Sequence, residues 1–414
     1  MKQLEIKGII PPVITPMNPE DESINIPELR NQIERQIAGG VHGIFPFGTN
    51  GEAYILSLKE KEEILEATVD QVKGRIPVYA GTGCISTRDT VYLSRRAQEL
   101  GADALSIVTP SFALASQKEL YDHYCEVAKH VNIPIVLYNI PARTGNKLLP
   151  ETVAQLAKDV DVILGAKDSS GDLDNLKAYI QLTRDLDKNF AVLAGNDGNI
   201  LPCLKAGGAG GVAGRADLWP KTIASIYDYF AAGDLEKAQA AQDAIVPLQR
   251  VFPFGNPNTI IKKAVALMGY PVGDCRKPFN YLCEEGVEEL KKVLEETKQL
   301  VCEERKHNYE KNALSAHRSG DGPGPGGLRR QLRRQLQRRR VLLRRRHRLH
   351  GPPAGRGPPE GAGPVRGLHQ CHRLQRRHLH AAVQGRRHGR LYLHCLQHRR
   401  PERKRGHQHG GLRL

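Results

Sequence analysis

The sequence predicts an α/β protein built as a (β/α)8 TIM barrel, with a C-terminal helical appendage and a disordered Arg-rich tail. Three observations lead there. Eight short runs rich in Val, Ile and aromatic residues, each bounded by Gly or Pro, recur between residues 8 and 217. Segments of helical periodicity separate them, and nearly continuous apolar strands alternating with helices denote parallel strands buried on both faces. From residue 313 onward the composition changes to one that cannot build a packed core.

The runs are GIIPPVITP (8 to 16), VHGIFPFGT (41 to 49), IPVYAGTG (76 to 83), ALSIVTP (104 to 110), IPIVLYNIP (133 to 141), VILGAKDSS (162 to 170), FAVLAGND (190 to 197) and GGVAGRAD (210 to 217). Between them, stretches such as LKEKEEILEATVDQV and DTVYLSRRAQEL place apolar residues at i, i+3, i+4 and i+7 beside charged neighbours. An open doubly wound sheet is the structural competitor, but it seldom needs eight such even repeats. After Trp219 the pattern is wholly helical to about Leu300, an appendage expected to serve packing and subunit contact. The expected divisions are residues 1–220 for the barrel, 221–300 for the helical region and 301–414 for a linker and low-complexity basic tail.

The 414 residues carry a net charge of +16, which taken whole suggests a nucleic-acid partner. The charge is not evenly spread. Residues 313 to 414 hold 25 Arg and one Lys against three acidic side chains, so residues 1 to 312 have a net charge of −7. The tail contains no Ile, Phe, Met, Thr or Trp. Three readings compete for it: a shifted or foreign GC-rich reading frame, an Arg-rich RNA-binding tail, or a membrane-surface segment, and its composition favours the first. Nucleic acid is therefore a partner only through the tail.

The six cysteines of the body (Cys84, Cys125, Cys203, Cys275, Cys283 and Cys302) are widely spaced with no C-x-x-C pair, which signals neither a zinc site nor a disulfide framework. The N-terminus lacks a signal-peptide core, and no stretch reaches the ~18 apolar residues that span a membrane. These features place the body in the cytoplasm, with no membrane partner, metal or cofactor expected.

In a parallel barrel, catalytic groups project from the C-terminal ends of strands. Taken in order, those ends give Thr49 and Asn50, then Tyr138 and Arg143, then Lys167. Lys167 follows VILGA, an apolar setting that disfavours the ammonium form and frees an amine as a nucleophile able to form a Schiff base with a ketone. The alternative is a structural lysine paired with Asp168, although strand alternation points neighbouring side chains to opposite faces.

GTNGE (48 to 52), YNIPARTG (138 to 145) and GAKDSSGD (165 to 172), in this order and spacing, resemble the dihydrodipicolinate synthase and N-acetylneuraminate lyase family of class I pyruvate-dependent aldolases. The resemblance extends over about residues 5 to 300 and leaves out the tail. It implies that Lys167 attacks the keto carbon of pyruvate to give an imine and then an enamine, and that Tyr138, with Thr49, relays protons. Gly48, Asn50 and Gly51 are expected to hold the substrate carboxylate through inward backbone N–H groups. Asn50 stands where the family usually has a second hydroxyl residue. Glu52 reads as a structural acceptor.

Arg143 matches the arginine with which dihydrodipicolinate synthases grip aspartate semialdehyde, so the resemblance favours condensation of pyruvate with that aldehyde acid in lysine biosynthesis. A surface or helix-capping arginine is the plain alternative. One departure cuts the other way: where synthases carry a tyrosine pair, this chain has Ser111 and Phe112, and Phe112 cannot relay a proton. Release of pyruvate from 4-hydroxy-2-oxoglutarate or a 2-keto-3-deoxy sugar acid is the second reading. A silent barrel tethered to nucleic acid by its tail is a third. The resemblance also implies a homotetramer or dimer of dimers.

Other features are set aside. GTGCIS lacks a full dinucleotide loop, AGGAGGVAG (206 to 214) reads as close packing more than a phosphate cradle, and His42 and His123 have no metal-ligand company.

Overall fold

A computed structural model describes residues 4 to 300; the expected linker from residue 301 and the basic tail lie outside the described residues. Seven parallel strands form one sheet: β1 (Gly8–Ile9), β2 (Tyr79–Gly81), β3 (Ala104–Val108), β4 (Ile135–Asn139), β5 (Ile163–Asp168), β6 (Ala191–Ala194) and β7 (Gly210–Gly211). Their order is β1-β7-β6-β5-β4-β3-β2, every pair parallel.

The run at 41 to 49 forms no ladder strand, yet it closes the ring between the sheet's two edges. His42 N donates to Ile9 O at 2.8 Å and Phe45 N to Pro11 O at 3.0 Å on one side, while Ile44 N donates to Pro77 O at 2.9 Å and Tyr79 N to Ile44 O at 2.8 Å on the other. Pro11, Pro12 and Pro46 supply no N–H to a ladder, which limits regular pairing here to the single parallel bridge between Ile44 and Val78. At the β1–β7 seam, a Cβ on Gly210 would collide with the Gly8 carbonyl oxygen, so the strands meet there as bare backbone.

Two apolar layers result. Ile6, Ile10, Phe45, Tyr79, Ala104, Val136, Leu164, Ala191, Leu193 and Val212 fill the barrel, one cluster drawn from strand after strand. A larger cluster lies between the strands and the helices outside them. The helix Leu58–Val72 begins at a Ser57–Glu60 capping box and Gln117–Ala128 at a Ser116–Glu119 box, each satisfying backbone donors at its first turn.

The β4–β5 ladder slips by one residue: Ile135 pairs with Ile163, but Val136 pairs with Gly165. Leu164 and Gly165 are thus accommodated in succession, and the extra residue resets the alternation so that Lys167 rather than Ala166 faces inward. Lys167 stands level with Leu193 of the inner cluster, whereas Asp168 stands level with Ala194 of the outer one. Gly165 fits this irregularity because a Cβ there would sit 2.8 Å from Ala191 O.

Helix Pro220–Ala231 packs against β1 and helix Ile26–Ala38. Helices Leu235–Ala244, Pro257–Leu267 and Glu284–Glu296 follow. Pro257–Leu267 does more than pack. Its Lys262 Nζ lies 2.7 Å from Glu52 Oε1, both side chains fully buried, and Arg276 N donates to Glu52 Oε2 at 2.8 Å. Glu52 has a left-handed backbone (φ 61°), so this pair fixes the turn 48 to 52 in a conformation that L residues adopt at a cost. Replacing Lys262 with Met leaves the Glu52 carboxylate buried without its cation, and unfolding by urea should show a loss of about 3–5 kcal/mol; an unchanged midpoint would mean that the pair contributes nothing to holding the turn.

Candidate active site

Lys167 and Tyr138 are cross-strand neighbours on β5 and β4, and both side chains are buried inside the barrel. Lys167 Nζ lies 3.7 Å from the centre of the Tyr138 ring and 5.1 Å from that of Phe45. Thr49 Oγ1 is 3.0 Å from the Tyr138 hydroxyl, which joins the turn 48 to 52 to the pair.

Burial lowers the Lys167 pKa from its ordinary 10.5, opposed by the Tyr138 phenol and by Asp197. For Tyr138, burial works upward but is outweighed by the charge of Lys167 and by hydrogen bonds with Thr49, Ser169 and Lys167, so its phenol also lies below its ordinary value. The lysine direction rests on burial alone; the tyrosine direction depends on a protonated lysine beside it. The pair is consequently arranged to share one proton.

Asp168, the alternative partner of Lys167, is engaged elsewhere. Asn139 Nδ2 donates to its Oδ1 at 2.7 Å and Ser170 Oγ to its Oδ2 at 2.8 Å, on the outer face of the strand. Asp197 accepts the backbone N–H groups of Gly214 and Arg215 at 3.0 and 2.9 Å, and burial raises its carboxyl above the usual range against the pull of Arg215.

A cavity of about 470 Å³ has Gly48, Thr49, Tyr138 and Arg143 in its wall, and Lys167, next to Tyr138 on the neighbouring strand, is not among its lining residues. Arg143 is exposed and donates from Nη2 to Asn256 Oδ1 at 2.7 Å. Two of the residues expected to hold a carboxylate through their backbone N–H groups have their other groups engaged away from the cavity. Gly51 packs on Phe47 and Val13, where a Cβ would sit 2.9 Å from backbone atoms of each, and its carbonyl accepts from Thr15 Oγ1 at 2.7 Å. The Asn50 side chain turns toward Gly214 and hydrogen-bonds the buried Asp217, whose carboxyl is pushed up to about 7 by burial. Neither residue is in the cavity wall, although Gly48 and Thr49 of the same turn are.

The cavity also has walls that sequence reasoning passed over: Lys61, Cys84, Ser106, Asn256 and Phe279. The last two belong to the appendage, which therefore helps to shape the site. Lys61 did leave a signal, since it sits on the apolar stripe Leu58–Ile64–Leu65–Val72 of its helix, where a charged residue is out of pattern. Asn258 binds the turn from behind, its Nδ2 donating to Thr49 O at 2.9 Å. His42 and His123 are structural: His42 Nδ1 accepts from Ile9 N, and His123 Nδ1 meets Thr87 Oγ1 at 2.9 Å. Among the described residues no group of three or more His, Cys, Asp or Glu side chains is placed to hold a metal ion, and no helix is long and apolar enough to cross a membrane.

A parallel barrel with a buried, unpaired-by-carboxylate lysine against a tyrosine at one end of its strands defines a lyase of the class I aldolase type. The model of the dihydrodipicolinate synthetase family matches residues 5–297. The chain is 42% identical over 290 residues to 4-hydroxy-tetrahydrodipicolinate synthase of Syntrophus aciditrophicus, covering 70% of this chain and 97% of the relative. It is 38% identical over 303 residues to that of Methanopyrus kandleri, covering 73% and 96%. The crystal structure of YagE, a prophage protein of the dihydrodipicolinic acid synthase family from E. coli K12 in complex with pyruvate, superposes with a TM-score of 0.68 at 31% identity, over 70% of this chain and 98% of that one. This chain belongs to the dihydrodipicolinate synthetase family.

The proton sharing has a measurable consequence. Carbamylation of Lys167 by cyanate, followed by peptide mass against pH, should have a midpoint below 10.5. In Tyr138→Phe the raising influence of the phenol is gone, so the midpoint should move lower still. A midpoint that rises in the variant would show that burial does not govern this amine.

Proposed function

We propose that the chain is a Schiff-base-forming lyase that condenses pyruvate with aspartate semialdehyde, a step of lysine biosynthesis. The observation that carries the reading is the Lys167 amine, buried without a carboxylate partner and 3.7 Å from the centre of the Tyr138 ring.

The neutral amine of Lys167 adds to the keto carbon of pyruvate, and loss of water leaves an imine. A methyl proton of the bound pyruvate is then removed to the Tyr138 oxygen, the electron pair moves toward the imine nitrogen, the resulting enamine carbon attacks the aldehyde, and attack on the imine carbon by the amino group of the aldehyde acid displaces the Lys167 amine. Tyr138 holds the proton that the aldehyde oxygen needs, and Thr49, 3.0 Å from the phenol, passes it along. Gly48 supports the pyruvate carboxylate through its backbone at the cavity wall. Arg143 supplies a guanidinium at the same wall for the carboxylate of the aldehyde acid. Asn50 and Gly51 offer backbone N–H groups to the pyruvate carboxylate, while the Asn50 side chain hydrogen-bonds Asp217. No cofactor enters this chemistry.

The second reading, release of pyruvate from a 4-hydroxy-2-oxo acid, is favoured by Phe112, which has a left-handed backbone (φ 82°), is 96% exposed and offers no hydroxyl. Phe112 and Leu114, the latter 81% exposed, also favour a homotetramer or dimer of dimers in which a second copy covers them. The reading carries a cytoplasmic location, in keeping with the unpaired thiols Cys84, Cys125, Cys203, Cys275 and Cys283.

Incubation with pyruvate and borohydride should leave a reduced pyruvyl adduct on Lys167, absent in Lys167→Ala. Tyr138→Phe should lower kcat by about 10²–10⁴. Arg143→Leu should keep the adduct while raising the KM for aspartate semialdehyde about tenfold or more. No adduct on the folded wild-type chain would sink the reading, and faster turnover of 4-hydroxy-2-oxoglutarate would select the second one. Separately, Asp substitution of Phe112 and Leu114 should convert the sedimenting species to a smaller one; an unchanged species would place the subunit contact elsewhere.

A further inference from the structure

Behind the turn 48 to 52 lies a carboxyl that the chemistry leaves unused. Asp217, the last residue of the short 3₁₀ turn Gly214–Asp217 that follows β7, is fully buried. Its Oδ1 accepts from Gln36 Nε2 at 2.7 Å and from Ile14 N at 3.3 Å. Its Oδ2 has no partner, and neither has Oε1, the other polar atom of the Gln36 amide. Arg35 is the cation whose charge acts on the carboxyl, but its guanidinium is engaged by the backbone oxygens of Asp217 and Leu218, by Gln32 Oε1 and by the Tyr270 ring. The acidic groups on the surrounding elements have other partners: Glu28 has Gln32, Glu52 has Lys262, Asp197 has Arg215, and Asp228 of helix Pro220–Ala231 has His42.

A carboxylate in this position would be a buried charge with one oxygen idle, joined to an amide whose oxygen is idle too. A carboxylic acid satisfies both, because an acid and an amide close a ring of two hydrogen bonds, N–H to Oδ1 and O–H to Oε1. Burial acts in the same direction and pushes the carboxyl up to about 7. The carboxyl is also linked to the site turn twice. The Asn50 side chain reaches it through space left open at Gly214, where a Cβ would sit 2.5 Å from Asn50 Nδ2. Ile14, whose N–H it receives, precedes Thr15, which donates to Gly51 O at 2.7 Å.

We propose that Asp217 is a positioning residue that works as the neutral acid: Oδ2 keeps a proton and donates it to Gln36 Oε1, and the acid holds Asn50 and Gly51 so that their backbone N–H groups meet the substrate carboxylate. The protonation stands by itself, and the positioning role rests on the Schiff-base reading.

The test is Asp217→Asn, whose amide reproduces the donor and the acceptor of the neutral acid. Native Asp217 keeps its proton up to about pH 7, whereas the unfolded chain releases it near the ordinary 3.8. Wild type therefore loses stability as pH rises between those values, and the variant has no such loss. The melting temperature of Asp217→Asn should exceed that of wild type by a margin that grows from about pH 4 to about pH 7 and is level above. A margin that stays constant or shrinks as pH rises, or a variant that does not fold, overturns the proposal. Borohydride trapping over a range of pyruvate concentrations tests the role at the site. Relative to Asp217→Asn, wild type should need about tenfold more pyruvate for half-maximal trapping at about pH 8 than at about pH 6. An equal ratio at the two pH values overturns the positioning role. Absence of any adduct in wild type removes the Schiff-base reading and that role with it, while the melting comparison still decides the proton.

Discussion

The site depends on a one-residue slip in the ladder between β4 and β5. Without it, the alternation that points Leu164 inward would point Ala166 and Asp168 inward as well, and Lys167 would face the helices. With it, the lysine enters an apolar interior level with Tyr138, while Asp168 is carried to the outer face and satisfied there by Asn139 and Ser170. The same displacement thus delivers the amine and removes the carboxylate that would have neutralised its reactivity. Nucleophilic lysine chemistry needs both, because an ion-paired ammonium is held protonated and has no lone pair to offer.

A second constraint keeps the pair's proton partner in place. Thr49 belongs to a turn whose end residue Glu52 has a left-handed backbone, and such a turn persists when its surroundings over-determine it. They do so from three directions: Lys262 and the Arg276 backbone hold Glu52, Asn258 holds the Thr49 carbonyl, and Thr15 holds that of Gly51. Two of these contacts come from helix Pro257–Leu267. The appendage is therefore tied to the proposed chemistry through the backbone of the turn.

What could be read in the sequence follows from how local each feature is. Alternating apolar runs and amphipathic segments announced the parallel barrel, because strand and helix periods are properties of neighbouring residues. Lys167, Tyr138 and Thr49 were legible as polar residues at the ends of apolar runs. The ring's weak point at 41 to 49 was not, since its loss of ladder pairing arises from Pro11 and Pro12 opposite Pro46, prolines more than thirty positions apart. The GTNGE motif suggested a row of inward backbone donors, and it does not state which way the Asn50 side chain turns or what Gly51 packs on. Asn50 turned to Asp217, 167 positions away, and Gly51 packed on Phe47 and Val13. The roles of Asn256, Asn258 and Lys262 come from tertiary contacts that no short-range pattern carries.

The three buried lysines show how far residue type alone falls short of function. Each loses water, and each loss must be offset. In Lys262 the offset is a carboxylate 2.7 Å away, which makes the residue a structural rivet. In Lys167 it is partial, through a ring face and a phenol able to trade a proton, which leaves the amine available to an electrophile. In Lys61 the protein supplies no counter-charge, and the amine borders the cavity. The degree of compensation, rather than burial as such, separates the rivet from the proposed nucleophile.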